Sequence, residues 1–215
     1  MHKLHFLATA ILLVATLIPI NALAYDPDPA TLAKAKQGNR DAMHEVACAY
    51  YEEDNDKAFK WAEKAANAGQ PQAYTLLATM YRNGEGTEIN NAKAIAFYKK
   101  AAAAGDYYAM WNLALYCMGL REGCEIDYQQ AIKYLKTPCD NSYSLAYPWL
   151  ACAYYDLWDD GDIEDKNKYA PLAIEYFKKA LDNPHPWNCP MDENTYIGEI
   201  LAYSDDDYQY TDYPL

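Results

Sequence analysis

The stretch from Ala73 to Asp106, AYTLLATMYRNGEGTEINNAKAIAFYKKAAAAGD, decides how this chain folds. Its first half places Ala73, Leu77 and Tyr81 four residues apart, with Ala78 beside them. Its second half places Ala94, Phe97, Tyr98, Ala101 and Ala102 at the three-and-four spacing of one helix face. Between the halves, Asn83-Gly84-Glu85-Gly86 is a turn, because glycine accepts backbone angles closed to other residues, and Gly105 ends the second segment. The stretch predicts a helix, a turn and a second helix.

The same order returns on both sides. Ala42, Val46, Ala47 and Tyr50 lead to Lys57-Ala58, Trp61, Lys64-Ala65-Ala66 and Gly69. Ala109, Leu113 and Ala114 lead to Gly123, Asp127, Ala131 and Tyr134, and Ala146, Leu150, Ala151 and Tyr154 open a fourth copy. The copies start 31, 36 and 37 residues apart, and the pentapeptide Ala-Cys-Ala-Tyr-Tyr occurs around both Cys48 and Cys152. A hairpin of this kind buries its apolar face only by stacking on the next, so the chain reads as a repeat array. Asp28 as a cap, Pro29 at the first helical position, then Leu32, Ala35 and Gly38, match the end of a second helix and predict a half repeat at the start. Asn194 to Tyr203 reads as a capping helix after the Pro184-His185-Pro186-Trp187 break.

Outside the array, Lys3, the apolar run Phe6 to Ile20 and the small-residue site Ala22-Leu23-Ala24 have the order of a secretory signal. The run is shorter than the roughly 20 apolar residues of a spanning helix, which disfavours a retained anchor. The expected organisation is a signal peptide at 1–24, a repeat domain at 25–203 and an acidic, tyrosine-rich tail at 204–215. Location is then periplasmic, or secreted, with no stable membrane insertion after cleavage. Removing Lys3 leaves 17 of the 18 Lys and Arg against 31 Asp and Glu, a formal charge of −14. Such a surface repels nucleic acid and anionic lipid, and steers a basic protein toward it.

Export would place the six cysteines where disulfides form. Cys117 stands where the other copies carry Tyr81, and Cys124 where Thr87 follows the second glycine, so the two meet across the turn and are the expected bridge. Cys139, Cys152 and Cys189 can supply a second, and Cys48 is expected to be a small buried residue.

Material for catalysis is scarce. After residue 24 the histidines are His44 and His185 and the serines Ser142, Ser144 and Ser204, none in a nucleophile elbow. Cys48 and His44, four apart on one helix face, and His185 with Cys189, at ligand-like spacing, are weak signals of a nucleophile and of a zinc site. The loop Asp159-Asp160-Gly161-Asp162-Ile163-Glu164-Asp165 offers five carboxylates to a cation such as calcium, but Trp158 breaks EF-hand alternation and a solvated loop is the expectation. No catalytic residue, metal site or cofactor is therefore expected.

The pattern Ala-xxx-Leu-[Gly/Ala]-xx-Tyr-xx-Gly-x-Gly, then Lys-Ala-xx-Phe-Tyr-x-Lys-Ala-Ala and Gly-Asp, resembles the Sel1-like repeat, a relative of the tetratricopeptide repeat. The resemblance covers roughly Ala30 to Leu181. It implies an all-α fold: a right-handed α-solenoid of about four helix-turn-helix repeats, with a half repeat before and a capping helix after. Cys139 falls where cysteine-rich bacterial members carry a second-helix cysteine, but the partner position eight residues on is Tyr147. Family members are mostly scaffolds that hold a protein along a concave face lined by first helices. Carried over, that face has His44, Tyr51, Thr75, Thr79, Arg82, Tyr108, Trp111, Leu115, Met118, Tyr155 and Asp156, with Tyr108, Trp111, Leu115 and Met118 as an apolar strip. Some periplasmic members are immunity proteins against effectors delivered by type VI secretion. The resemblance thus implies a monomeric, non-enzymatic binder, possible partners being a basic toxin or effector. The alternatives are an envelope adaptor or host-interaction protein and, more remotely, a β-lactam-binding or hydrolysing enzyme, for which no Ser-xx-Lys motif occurs.

Overall fold

A computed structural model describes residues 26–51, 53–182 and 196–202, and all regular structure among them is helical. The described chain divides into two compact units on either side of the Ile89–Asn90 bond.

In the first unit, α1 (Pro29–Lys36) starts where the Asp28 carboxylate accepts the Thr31 amide at 2.9 Å, with proline at the helix entry. The same device starts α2 (Arg40–Tyr50), where Asn39 Oδ1 accepts Ala42 N at 2.9 Å, and α3 (Asn55–Asn67), where Asp54 accepts Lys57 N at 3.0 Å. The fourth helix, α4 (Pro71–Asn83), ends at Gly84 with φ 75°. Each helix packs on the one that follows it. The interface is built from small side chains: Ala47, Ala58, Ala62, Ala65, Ala73 and Ala78 are all 0% exposed, so the backbones approach closely. Ala35 of α1 joins Ala42 and Val46 in a cluster flanked by Leu32, Met43, Tyr50 and Trp61, which is how the predicted half repeat is held. Gly86 is fixed by packing as well as by φ 67°. A Cβ there would lie 2.1 Å from Asn55 O, because the turn after α4 rests on the first residue of α3.

The second unit repeats the scheme. α5 (Asn91–Ala103) is capped by Asn90 through Lys93 N at 2.9 Å, and α6 (Tyr107–Cys117) by Asp106 through Ala109 N at 3.0 Å. Asp127 caps α7 (Tyr128–Asp140) through Gln130 N at 2.8 Å. A 3₁₀ turn (Ser144–Ala146) leads into α8 (Tyr147–Asp159), and α9 (Ile163–Asp182) follows after three residues. Asp162 Oδ1 accepts the Glu164 and Asp165 amides, each at 3.0 Å. The acidic loop is thereby accounted for. Asp159 belongs to α8, Asp162 caps α9, and Glu164 and Asp165 sit in the first turn of α9, where carboxylates oppose the helix dipole. Among the described residues no group of three or more His, Cys, Asp or Glu side chains is placed to hold a metal.

The core of this unit gathers Leu135, Leu150, Ala151, Ala153 and Phe177, all 0% exposed, around Tyr154, Tyr169 and Tyr176, whose rings stack at 6.0 Å. Full burial of a side chain such as Leu or Phe contributes roughly 1.5 to 3 kcal/mol. Residues 196–202 form a further helix, α10, which seats Ile200 in this core and Tyr196 against Phe177 at 5.5 Å and Tyr155 at 4.4 Å. Across both units the second-helix lysines lie over aromatic faces, Lys64 on Trp61 at 4.2 Å and Lys100 on Phe97 at 4.9 Å, which covers apolar surface while the charge stays in water. No described helix is long and apolar enough to cross a membrane. The expected signal peptide and the acidic tail lie outside the described residues.

Candidate protein-binding face

The residues assigned to a binding face lie on the first helices of the hairpins, α2 and α4 in one unit and α6 and α8 in the other. In the first unit His44, Thr75, Thr79 and Arg82 are half-buried. Tyr51, which caps the end of α2, donates its hydroxyl to Glu85 Oε2 at 2.5 Å, and Glu85 Oε1 accepts Asn83 Nδ2 at 3.0 Å, so this tyrosine ties the end of α2 to the turn after α4. Arg82 Nε donates to Asn83 Oδ1 at 2.9 Å. His44 Nε2 lies 3.5 Å from Cys48 Sγ. Burial lowers the His44 pKa, and burial followed by the Glu45 carboxylate raises that of Cys48, so both stay neutral. A cysteine nucleophile needs the opposite shifts. Cys48 is also exposed, which corrects its reading as a buried residue: it faces outward from α2 because Ala47 and Val46 take the inward places.

The second unit concentrates the aromatic groups. On α6 the Tyr108 and Trp111 rings are 5.5 Å apart, and the Arg121 guanidinium lies 5.7 Å from the Trp111 ring centre and 5.6 Å from that of Tyr116. Arg121 is held there by a hydrogen bond to Asn112 Oδ1, while Asn112 Nδ2 donates to Tyr108 O at 2.7 Å. Asn112 is fully buried, at 0% exposure, so its amide is an internal strut for the arginine. The predicted strip is narrower than expected. Leu115 is 4% exposed and Met118 7%, both turned into the core rather than toward a partner. Four-residue spacing placed them beside Trp111, but α6 is apolar nearly all round and presents more than one face to its neighbours. Tyr108 and Trp111 remain half-buried at the surface. The indole N–H groups of Trp111 and of Trp149 on α8 are buried and meet no acceptor among the described residues. Such a donor carries a cost of about 1 to 3 kcal/mol until something accepts from it.

On α8, Tyr155 serves the terminal helix: its hydroxyl donates to Glu199 Oε2 at 2.6 Å, and burial, then this bond, holds its pKa well above the ordinary value. Asp156 is half-buried with Asp159 and Asp160 close by, and burial followed by these two charges pushes its pKa up to about 6. Cys117, 8% exposed, is pushed up to about 11 by burial and then by Cys124, and Cys139 up to about 12 by burial. Cys117, Cys124 and Cys139 are thiols in this structure, and Cys189 and His185 lie outside the described residues. Sequence reasoning missed Asn112, Arg121 and Trp149. One signal was present for the first two, since Asn112 is the lone amide in an otherwise apolar helix and Arg121 is one of only three arginines.

A family model described as the Sel1 repeat matches residues 40–70, 71–106, 108–141 and 158–185. Among curated proteins, the chitin synthase regulator SKT5 of Saccharomyces cerevisiae is 41% identical over 63 residues, 29% of this chain and 9% of that protein. An uncharacterized protein of Neisseria meningitidis serogroup B is 32% identical over 141 residues, 60% of this chain and 29% of that one. The chain thus spans less than a third of either curated relative. Among solved structures, c5321, described as a protective antigen present in uropathogenic Escherichia coli strains and displaying an SLR fold, aligns with a TM-score of 0.65 at 26% identity, covering 81% of this chain and 36% of that one. A Sel1 repeat protein from Oxalobacter formigenes aligns with a TM-score of 0.62 at 24% identity, covering 86% and 73%.

Proposed function

Because the chain belongs to the Sel1 repeat family, whose repeats are protein-interaction scaffolds and typically not enzymes, we propose that it is an exported protein that works by binding another protein through its first-helix faces. The observation that carries this reading is the Tyr108–Trp111–Arg121 group. Two aromatic rings are fixed in place, a guanidinium lies over one of them, and the buried Trp111 N–H meets no acceptor among the described residues, a place that a partner carbonyl or carboxylate would fill. Tryptophan, tyrosine and arginine are the residues from which binding hot spots are made. The formal net charge of −13 for the full sequence favours a basic partner, captured faster at low salt.

The specific form we propose is an immunity protein of the periplasm that neutralises an antibacterial effector with a basic surface. Cells expressing the whole chain should survive attack by a toxin-delivering neighbour better than cells expressing a version without residues 1–24. Equal survival with a verified, folded protein in both strains refutes it. A second reading, an envelope adaptor or host-interaction protein, draws support from the likeness to a protein described as a protective antigen. An adaptor would bind several partners at once, whereas an immunity protein would give a single complex of fixed stoichiometry, which mass photometry of the purified assembly separates.

A further inference from the structure

We propose that Cys117 and Cys124 are an oxidisable pair whose disulfide clamps the α6–α7 loop, and with it Arg121, against α6. The inference stands apart from the binding reading and rests on the loop itself. Asp127 N donates to Cys117 O at 2.8 Å, so the segment from 118 to 126 is a closed ring whose two ends already touch. Inside that ring Leu120 N bonds back to Leu115 O and Gly119 N to Tyr116 O, both at 3.1 Å. Gly119 is pressed by Ile126: a Cβ there would lie 2.9 Å from that side chain. Gly123 faces Asn91 and Ile95 of α5, where a Cβ would stand 3.1 and 3.3 Å from them. Cys124, next in the chain, is therefore positioned from both sides.

Cys117 occupies the inward place that Tyr81 and Tyr154 fill in other copies. Tyr134, one helix away on α7, senses both sulfurs: its pKa is raised by burial first and then by Cys117 and Cys124. The Cys117 thiol is in turn pushed up by burial first and then by Cys124 and Asp127, with Lys99 acting the other way. Two thiols and a phenol thus share one corner, at the end of the loop that carries Arg121.

The accessibility of the two thiols sets the order of events. Exposed Cys124 attacks a small-molecule disulfide, forming a mixed disulfide and releasing one thiol of the oxidant. Buried Cys117 then gives up its proton to solvent and attacks Cys124 Sγ, and the second half of the oxidant leaves as its thiol. The protein loses two hydrogens, and one oxidant disulfide becomes two thiols.

The test uses the full chain equilibrated with oxidised glutathione, followed by proteolysis and mass spectrometry under non-reducing conditions. The expected product is a peptide cross-linked between Cys117 and Cys124, with little glutathione retained on Cys124. In Cys117→Ser the resolving thiol is gone, and Cys124 should be trapped as its glutathione adduct. Oxidation of the unsubstituted chain should raise its melting temperature by roughly 5 to 10 °C, the effect of closing a short loop. It should also slow hydrogen exchange at the amides between 118 and 126. A stable glutathione adduct on Cys124 of the unsubstituted protein, or a bridge from either cysteine to a different one, overturns the pairing. Unchanged exchange in the loop after a verified Cys117–Cys124 bridge overturns the clamp.

Discussion

Replacing Gly86 by alanine separates two costs that glycine avoids at turns. The residue has φ 67°, a region where a Cβ costs about 1 to 2 kcal/mol, part of which is returned by the stiffer unfolded chain. The added methyl would also stand 2.1 Å from Asn55 O and 2.6 Å from Asn55 C, both backbone atoms that no rotamer change can move. Overpacking of this kind costs a further 1 to 3 kcal/mol or so, because the first turn of α3 has to shift. Gly69 is the control in the same unit. Its φ is 80°, but an added Cβ meets only Arg40 Nη1, at 4.0 Å, the mobile end of a long side chain. Gly69→Ala should therefore cost about 1 kcal/mol and Gly86→Ala about 3 kcal/mol. At this chain length the second figure lowers the melting temperature by roughly 6 to 12 °C. Urea unfolding of the two variants, followed by circular dichroism under identical conditions, gives the comparison. Equal losses would mean that the Gly86 turn does not rest on α3, and the packing of this hairpin would have to be redrawn.

Truncating Trp111 to alanine should cost about 1 to 2 kcal/mol in thermal stability, since the ring is half-buried, but at least about 2 kcal/mol, or thirtyfold, in partner affinity by calorimetry; a stability loss with affinity unchanged counts against its role as an anchor. The Asp156 carboxyl, pushed up to about 6 when folded from an ordinary 3.8, binds protons more tightly in the folded state. Its contribution therefore stabilises as pH falls from about 6 to about 4 and opposes folding above that window. Asp156→Asn should remove this segment of the pH profile and stabilise the protein at pH 7 by about 1 kcal/mol, the shift being discounted for partial exposure, as chemical denaturation across pH would show. Tyr155→Phe deletes the bond to Glu199 and should speed hydrogen exchange in residues 196–202 while α2 and α4 are unaffected; unaltered exchange there would mean that ring packing alone holds α10.

Most of the fold was legible because the repeat writes each element several times. Ala73, Leu77 and Tyr81 mark one helix face, Gly84 and Gly86 the turn and Gly105 the stop, and the structure puts positive φ at all three glycines. The half repeat was legible from a cap, a proline and two apolar residues, since Asp28, Pro29, Leu32 and Ala35 act locally. Site residues were less legible because exposure depends on neighbours that spacing does not reveal. Leu115 and Met118 share a helical period with Trp111, yet α6 is covered on several sides and both are withdrawn. Cys48 was misjudged for the converse reason, as one copy of a repeated pentapeptide faces outward while Cys152, in the other copy, is buried. Arg121 stood out only by its rarity, and its position did not follow from that. Its placement depends on a buried asparagine nine residues earlier, a contact made only once the loop folds back on its helix.

A photo-crosslinking amino acid placed at Tyr108, with Ala96 on the exposed side of α5 as the reference position, tests the proposed binding face where it should act, in cells that make the protein naturally. One discrete protein adduct is expected from position 108 and none from position 96, and the adduct should be lost when Arg121 is changed to alanine. Adducts of equal yield from both positions, or an adduct at 108 that survives the loss of Arg121, would contradict the proposed binding face.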